Sequence, residues 1–115
     1  MVRTKSKDKC TKIRFTKCKE KAKIYNPIQM TFAKLLEKDI TIKEFQNTVA
    51  LKNLEVGEYS TDFLCTKDNG DLMVRECIFR QQLGQKHYQK LLDASKQYWA
   101  RRGIIDWGIV IDAEE

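Results

Sequence analysis

Apolar side chains nowhere run for the roughly 18 consecutive positions that a membrane-spanning helix needs. The N-terminus carries charges where a secretory leader would carry its apolar stretch. The expectation is a protein with no membrane partner, working in a cytoplasm. Histidine is nearly absent, His87 alone, and the four cysteines at 10, 18, 65 and 77 form no CxxC pair. That spacing argues against a zinc site or a dithiol redox motif, and it leaves a cysteine nucleophile without an evident base. Reduced thiols are expected, with Cys65 and Cys77 as small core residues. The chain has 115 residues, 42% hydrophobic and 33% charged, which suits one globular domain and is too short for two.

What is abundant is positive charge, and it is concentrated at one end. Residues 1–23 hold ten Lys or Arg against Asp8 and Glu20, a local net of +8, so the other 92 residues sum to −2. Many of these cations alternate, and an extended arm over 1–23 would present Lys5, Lys7, Lys9, Lys12, Arg14, Lys17, Lys19, Lys21 and Lys23 as a row. A phosphate backbone suits such a row, because each neutralised phosphate releases counterions. A solvated tail that only aids solubility is the alternative. The rest, 24–115, is expected to form the single domain.

Start and stop signals then divide the domain. Asn26-Pro27 is an N-cap and N1 pair, and Ile28, Phe32, Leu35 and Leu36 recur at helical spacing, so a helix is predicted over 27–38. A strand begins in Asp39-Ile40-Thr41-Ile42 and runs through Phe45 and Val49, bending near Gln46-Asn47. Strands at 60–66 and 71–79 flank a turn. After Gly84, the residues Tyr88, Leu91, Leu92, Ser95, Tyr98 and Trp99 mark one face of a second helix that stops at Gly103. His87 falls near its start, in a place more often structural than catalytic. The nearly all-apolar Ile104–Ile111 reads as a strand buried on both faces. The order is α-β-β-β-α-β.

The turn decides whether two acids meet. With a two-residue Asn69-Gly70 loop, Asp62 would face Cys77 and Glu76 would point away. With a three-residue Asp68-Asn69-Gly70 loop, a type I turn closed by Gly70 in the left-handed region, Asp62 stands across from Glu76. The second register is expected, and a carboxylate pair there could hold a divalent cation.

Three segments carry a resemblance: Ser60-Thr61-Asp62-Phe63-Leu64, Gln97-Tyr98-Trp99-Ala100-Arg101-Arg102-Gly103-Ile104 and Trp107-Gly108-Ile109-Val110. Together they resemble the TnsA endonuclease subunit of heteromeric cut-and-paste transposases, a branch of the PD-(D/E)XK nucleases. The resemblance implies an α/β (α+β), restriction-endonuclease-like mixed sheet flanked by helices. It implies Mg²⁺ or Mn²⁺ at Asp62 and Glu76 and hydrolysis of a DNA phosphodiester. It also implies a transposase or other mobile-element partner, or a homodimer, in a bacterial or phage-infected cell. Two positions depart from the family pattern: Ile78 stands where its lysine belongs, and Gln29 where its helix glutamate belongs. Lys90, or Lys86 beside it, could supply the lysine from the second helix; Gln29 would be a weakened third metal ligand, with Glu37 and Gln46 as lesser candidates. The departures leave open a nuclease-fold protein that binds DNA without cutting it, or an inhibitory module. An RNA-binding basic protein rests on the arm alone.

Overall fold

The computed structural model describes residues 10–112; Lys5, Lys7 and Lys9 lie outside them. The chain order is β1 (Thr11–Ile13), β2 (Ala22–Ile24), α1 (Pro27–Lys38), β3 (Ile42–Leu51), β4 (Tyr59–Lys67), β5 (Leu72–Ile78), α2 (Lys86–Ala100) and β6 (Trp107–Ile111), with a 3-10 turn at Arg80–Gln82 between β5 and α2. It is a mixed α+β fold: a four-stranded sheet in the order β3-β4-β5-β6, antiparallel except for the parallel β5–β6 pair, plus the separate two-stranded β1–β2 sheet.

Local chemistry accounts for the boundaries. The Asn26 side chain accepts the Gln29 N–H at 2.9 Å and Pro27 opens α1, so orphan donors of the first turn are satisfied. At its other end the Lys17 ammonium donates to the carbonyls of Leu36 and Asp39, at 2.8 and 2.6 Å. Helix α2 closes through Ile104 N–H to Trp99 C=O at 2.9 Å, with Gly103 at φ +83°, the left-handed residue such a stop requires. The β4–β5 turn has Gly70 at φ +94°, its N–H on Lys67 C=O at 2.9 Å, and Lys67 N–H on Asp71 C=O at 2.8 Å. This is the three-residue loop, and its ladder pairs Thr66 with Leu72 through Phe63 with Arg75.

Two apolar layers sandwich the sheet. Phe45, Phe63, Cys65 and Cys77 pack under α1 and the β1–β2 hairpin, with Phe15, Cys18, Ala22, Ile24, Ala33 and Leu36. Val74, Leu51 and Tyr59 pack on the opposite side beneath Leu91, Trp99 and Ile104.

Two expectations are corrected. Residues 11–24 are not an extended arm: they form a paired hairpin whose Phe15, Cys18, Ala22 and Ile24 are buried. Apolar residues interleaved with the cations bury one side of the ribbon and leave the charges on the other. Strand β6 is only partly buried: Val110 and Trp107 pack against the two apolar layers, but no residue of it is fully buried, Ile109 is 41% exposed, and Ile105 just before it is 86% exposed. The bend in β3 falls at Thr48, φ +60°, one residue beyond the expected place.

Candidate functional site

Beyond Phe63–Arg75 the β4–β5 ladder stops, and two side chains take over from the backbone. Asp62 Oδ2 accepts the Cys77 N–H at 2.7 Å, and Glu76 Oε1 accepts the Asp62 N–H at 2.9 Å. Each carboxylate thus takes the place of a carbonyl of its own strand as acceptor for an N–H of the other. Both side chains are fully buried. The expected register therefore does bring Asp62 and Glu76 together.

Both helices reach this opening. From α1, Gln29 donates its amide to Asp62 Oδ1 at 2.9 Å, while its own oxygen accepts the Tyr25 N–H at 2.8 Å. From α2, Ser95 donates its hydroxyl to Glu76 Oε2 at 2.6 Å and accepts the Trp107 indole N–H at 3.0 Å. Gln29 and Ser95 are themselves fully buried. A continuous polar chain therefore crosses the sheet from α1 to β6. All four carboxylate oxygens accept a hydrogen bond, so none of these buried polar atoms is left without a partner. Beside it Trp99 donates to Thr61 Oγ1 at 2.8 Å, a second buried polar contact.

No family model and no curated protein matches this chain. The site has to be judged on its own donors. Mg²⁺ is bound through free oxygen lone pairs in octahedral geometry. Here the carboxylate oxygens face N–H and O–H donors, and Gln29 turns its amide nitrogen, not its oxygen, towards Asp62. Among the described residues no three His, Cys, Asp or Glu side chains gather in a metal-holding group. As arranged, these residues form a hydrogen-bonded network in which each carboxylate oxygen already accepts one N–H or O–H donor and Gln29 presents no oxygen to the acids.

Other candidates stand elsewhere. Lys90 and Lys86 lie on the exposed side of α2, whose buried face is Leu91, Leu92, Ser95 and Trp99; Lys90 is not brought to the acids because it is out of helical phase with Ser95. Glu37 is tied to the hairpin instead, accepting from Thr16 Oγ1 at 2.7 Å and Thr16 N–H at 2.8 Å. Burial pushes its carboxyl up, but the Thr16 and Lys17 hydrogen bonds outweigh that and hold it below its ordinary value. Gln46 is exposed on β3. Of the expected nucleic-acid contacts, Lys12, Arg14, Lys19, Lys21 and Lys23 are exposed, whereas Lys17 is committed to capping α1. Tyr98 stacks edge-on with Trp99 at 5.0 Å and under the Arg102 guanidinium at 3.5 Å.

Ser95 is the site residue that the sequence reading left on an apolar stripe. Its signal was available: a hydroxyl in the middle of a buried helix face needs a polar partner.

Proposed function

We propose that the chain is a DNA-binding protein of the TnsA-like, restriction-endonuclease-like fold, in which the acid pair has become a structural device and cleavage is absent. The observation that carries this reading is the occupation of Asp62: Gln29 and Cys77 donate to its two oxygens. A glutamate at position 29 would instead bring a third carboxylate to the same opening. Ile78 is buried and offers no ammonium, and Lys90 stands away from the acids. The parts left are a scaffold and a cationic hairpin, and these suffice to hold a phosphate backbone. Such a module would act within a mobile element or phage by occupying DNA or by assembling with a transposase subunit.

The cleaving alternative has one observation in its favour, the adjacency of Asp62 and Glu76 just past the end of the β4–β5 ladder. One experiment separates the two. Purified protein and its Asp62→Ala variant are incubated with supercoiled and branched DNA in Mg²⁺ or Mn²⁺, with binding read on the same substrates. Binding without nicking in either metal is expected; nicking abolished by the substitution would establish the endonuclease.

A further inference from the structure

The β1–β2 ladder sets Lys12 directly opposite Lys23 and Ile13 opposite Ala22. Carried one step further, the same register sets Arg14 opposite Lys21. Side chains alternate faces along a strand, so Ile13, Ala22 and Ile24 point into the core while Lys12, Arg14, Lys21 and Lys23 share the outer face, all four exposed. Like charges directly across a strand pair are unfavourable. Among the described residues no carboxylate pairs with any of the four. The hairpin is also rigidly seated: Lys23 N–H donates to Asn47 Oδ1 at 2.7 Å, Phe45 N–H to Lys17 C=O at 3.1 Å, and Glu37 holds Thr16. A groove of about 360 Å³ runs beside it, lined by Lys19, Lys21 and Lys23 together with Glu20, Glu44 and Asn47.

Resting on the DNA-binding reading, we propose that this outer face is the phosphate grip: a preformed two-by-two cation grid of Lys12, Arg14, Lys21 and Lys23 that clamps the backbone of duplex DNA. Repulsion among the four cations gives way to favourable interaction when phosphates enter. Along each strand the cations stand about 6.6 Å apart and across the pair about 5 Å, so each meets a different phosphate oxygen cluster. Contact with phosphate alone positions the protein and carries no base readout. Lys17 is excluded because its ammonium is consumed at the end of α1.

The test is fluorescence anisotropy of a short labelled duplex across a salt series. It compares the full chain, the variant Lys12→Gln/Arg14→Gln/Lys21→Gln/Lys23→Gln, and a charge-matched control, Lys34→Gln/Lys43→Gln/Lys86→Gln/Lys90→Gln, whose side chains are also exposed. Four lost phosphate contacts should reduce the slope of log K against log salt by about 3.6. The wild type would then lose about 150-fold more affinity than the grid variant between about 50 and 200 mM salt. The control should keep the wild-type slope, and the grid variant should melt at or above the wild-type temperature because cross-strand repulsion is gone. A grid variant with the wild-type slope, or a control with an equal loss, overturns the grid while DNA binding itself stands. A wild type that binds no duplex but binds anionic vesicles through the same four residues overturns both readings.

Discussion

Ser95→Ala removes the hydroxyl that joins α2 to the acid pair, and its cost can be built from the contacts it breaks. The Glu76 carboxylate loses a 2.6 Å donor in a fully buried setting, and a hydrogen bond to a charged group contributes about 1.5–3 kcal/mol. Trp107, half-buried, loses the acceptor of its indole N–H at 3.0 Å, worth about 1 kcal/mol. Alanine's better helix propensity returns about 0.5 kcal/mol. The net is a destabilisation of about 2–3.5 kcal/mol. At roughly 4–6 °C per kcal/mol for a domain of this size, the melting temperature should fall by about 10–20 °C. Urea unfolding followed by tryptophan fluorescence reads this, because Trp99 and Trp107 both sit beside the network. A fall below about 0.5 kcal/mol would refute the reasoning, since Glu76 would then draw nothing from α2.

Three further outcomes follow from other contacts. Lys17→Met should destabilise by about 1–2 kcal/mol, by stripping the cap from the Leu36 and Asp39 carbonyls, yet leave the salt slope of DNA binding unchanged. Asp106 is held below the ordinary carboxylate value by hydrogen bonds from Lys67 and Arg75 at 2.7 and 2.8 Å. Its contribution is therefore present above the unfolded value of 3.8 and lost as pH falls through the lower folded value. Since the pair is partly exposed, Asp106→Asn should cost about 0.5–1 kcal/mol at neutral pH and nothing in strong acid, as read by denaturant melts. Burial pushes the Cys18 thiol up to about 11 and Cys65 up to about 12. A thiol reagent should therefore modify Cys10 first in the native protein, with Cys18, Cys65 and Cys77 reacting only on unfolding.

The parts legible in the sequence were those governed by local chemistry. Asn26-Pro27 fixed the start of α1, Gly103 the end of α2, and Asp68-Asn69-Gly70 the register that sets Asp62 against Glu76. What stayed hidden depended on partners far along the chain. Nothing near Lys17 tells that its ammonium caps a helix ending some twenty residues later. Nothing near Ile109 tells that its strand lies at an edge with 41% of that side chain exposed. Alternation within 11–24 suggests a row of cations, but the interleaved Ile13, Phe15, Cys18, Ala22 and Ile24 are the other half of the pattern, and packing them into the core makes the segment a hairpin. The resemblance points to Gln29 as a residue beside Asp62 and implies a ligand, whereas the Tyr25 N–H occupies its oxygen and turns the amide donor inward.

The central claim is that Asp62 belongs to a structural hydrogen-bond network, and Asp62→Asn in EDTA tests it most directly. An asparagine must set its NH₂ against either the Gln29 amide or the Cys77 N–H, donor against donor, because flipping Gln29 would strand the Tyr25 N–H. One buried polar contact is lost in every arrangement, so the variant should be less stable by about 1–3 kcal/mol, and Mg²⁺ should leave the wild-type melting temperature unchanged. Acids kept for a cation behave in the opposite way, since an ion that binds only the folded protein stabilises it by mass action. An Asp62→Asn protein more stable than wild type in EDTA, with a wild-type melting temperature that rises on adding Mg²⁺, would contradict the account.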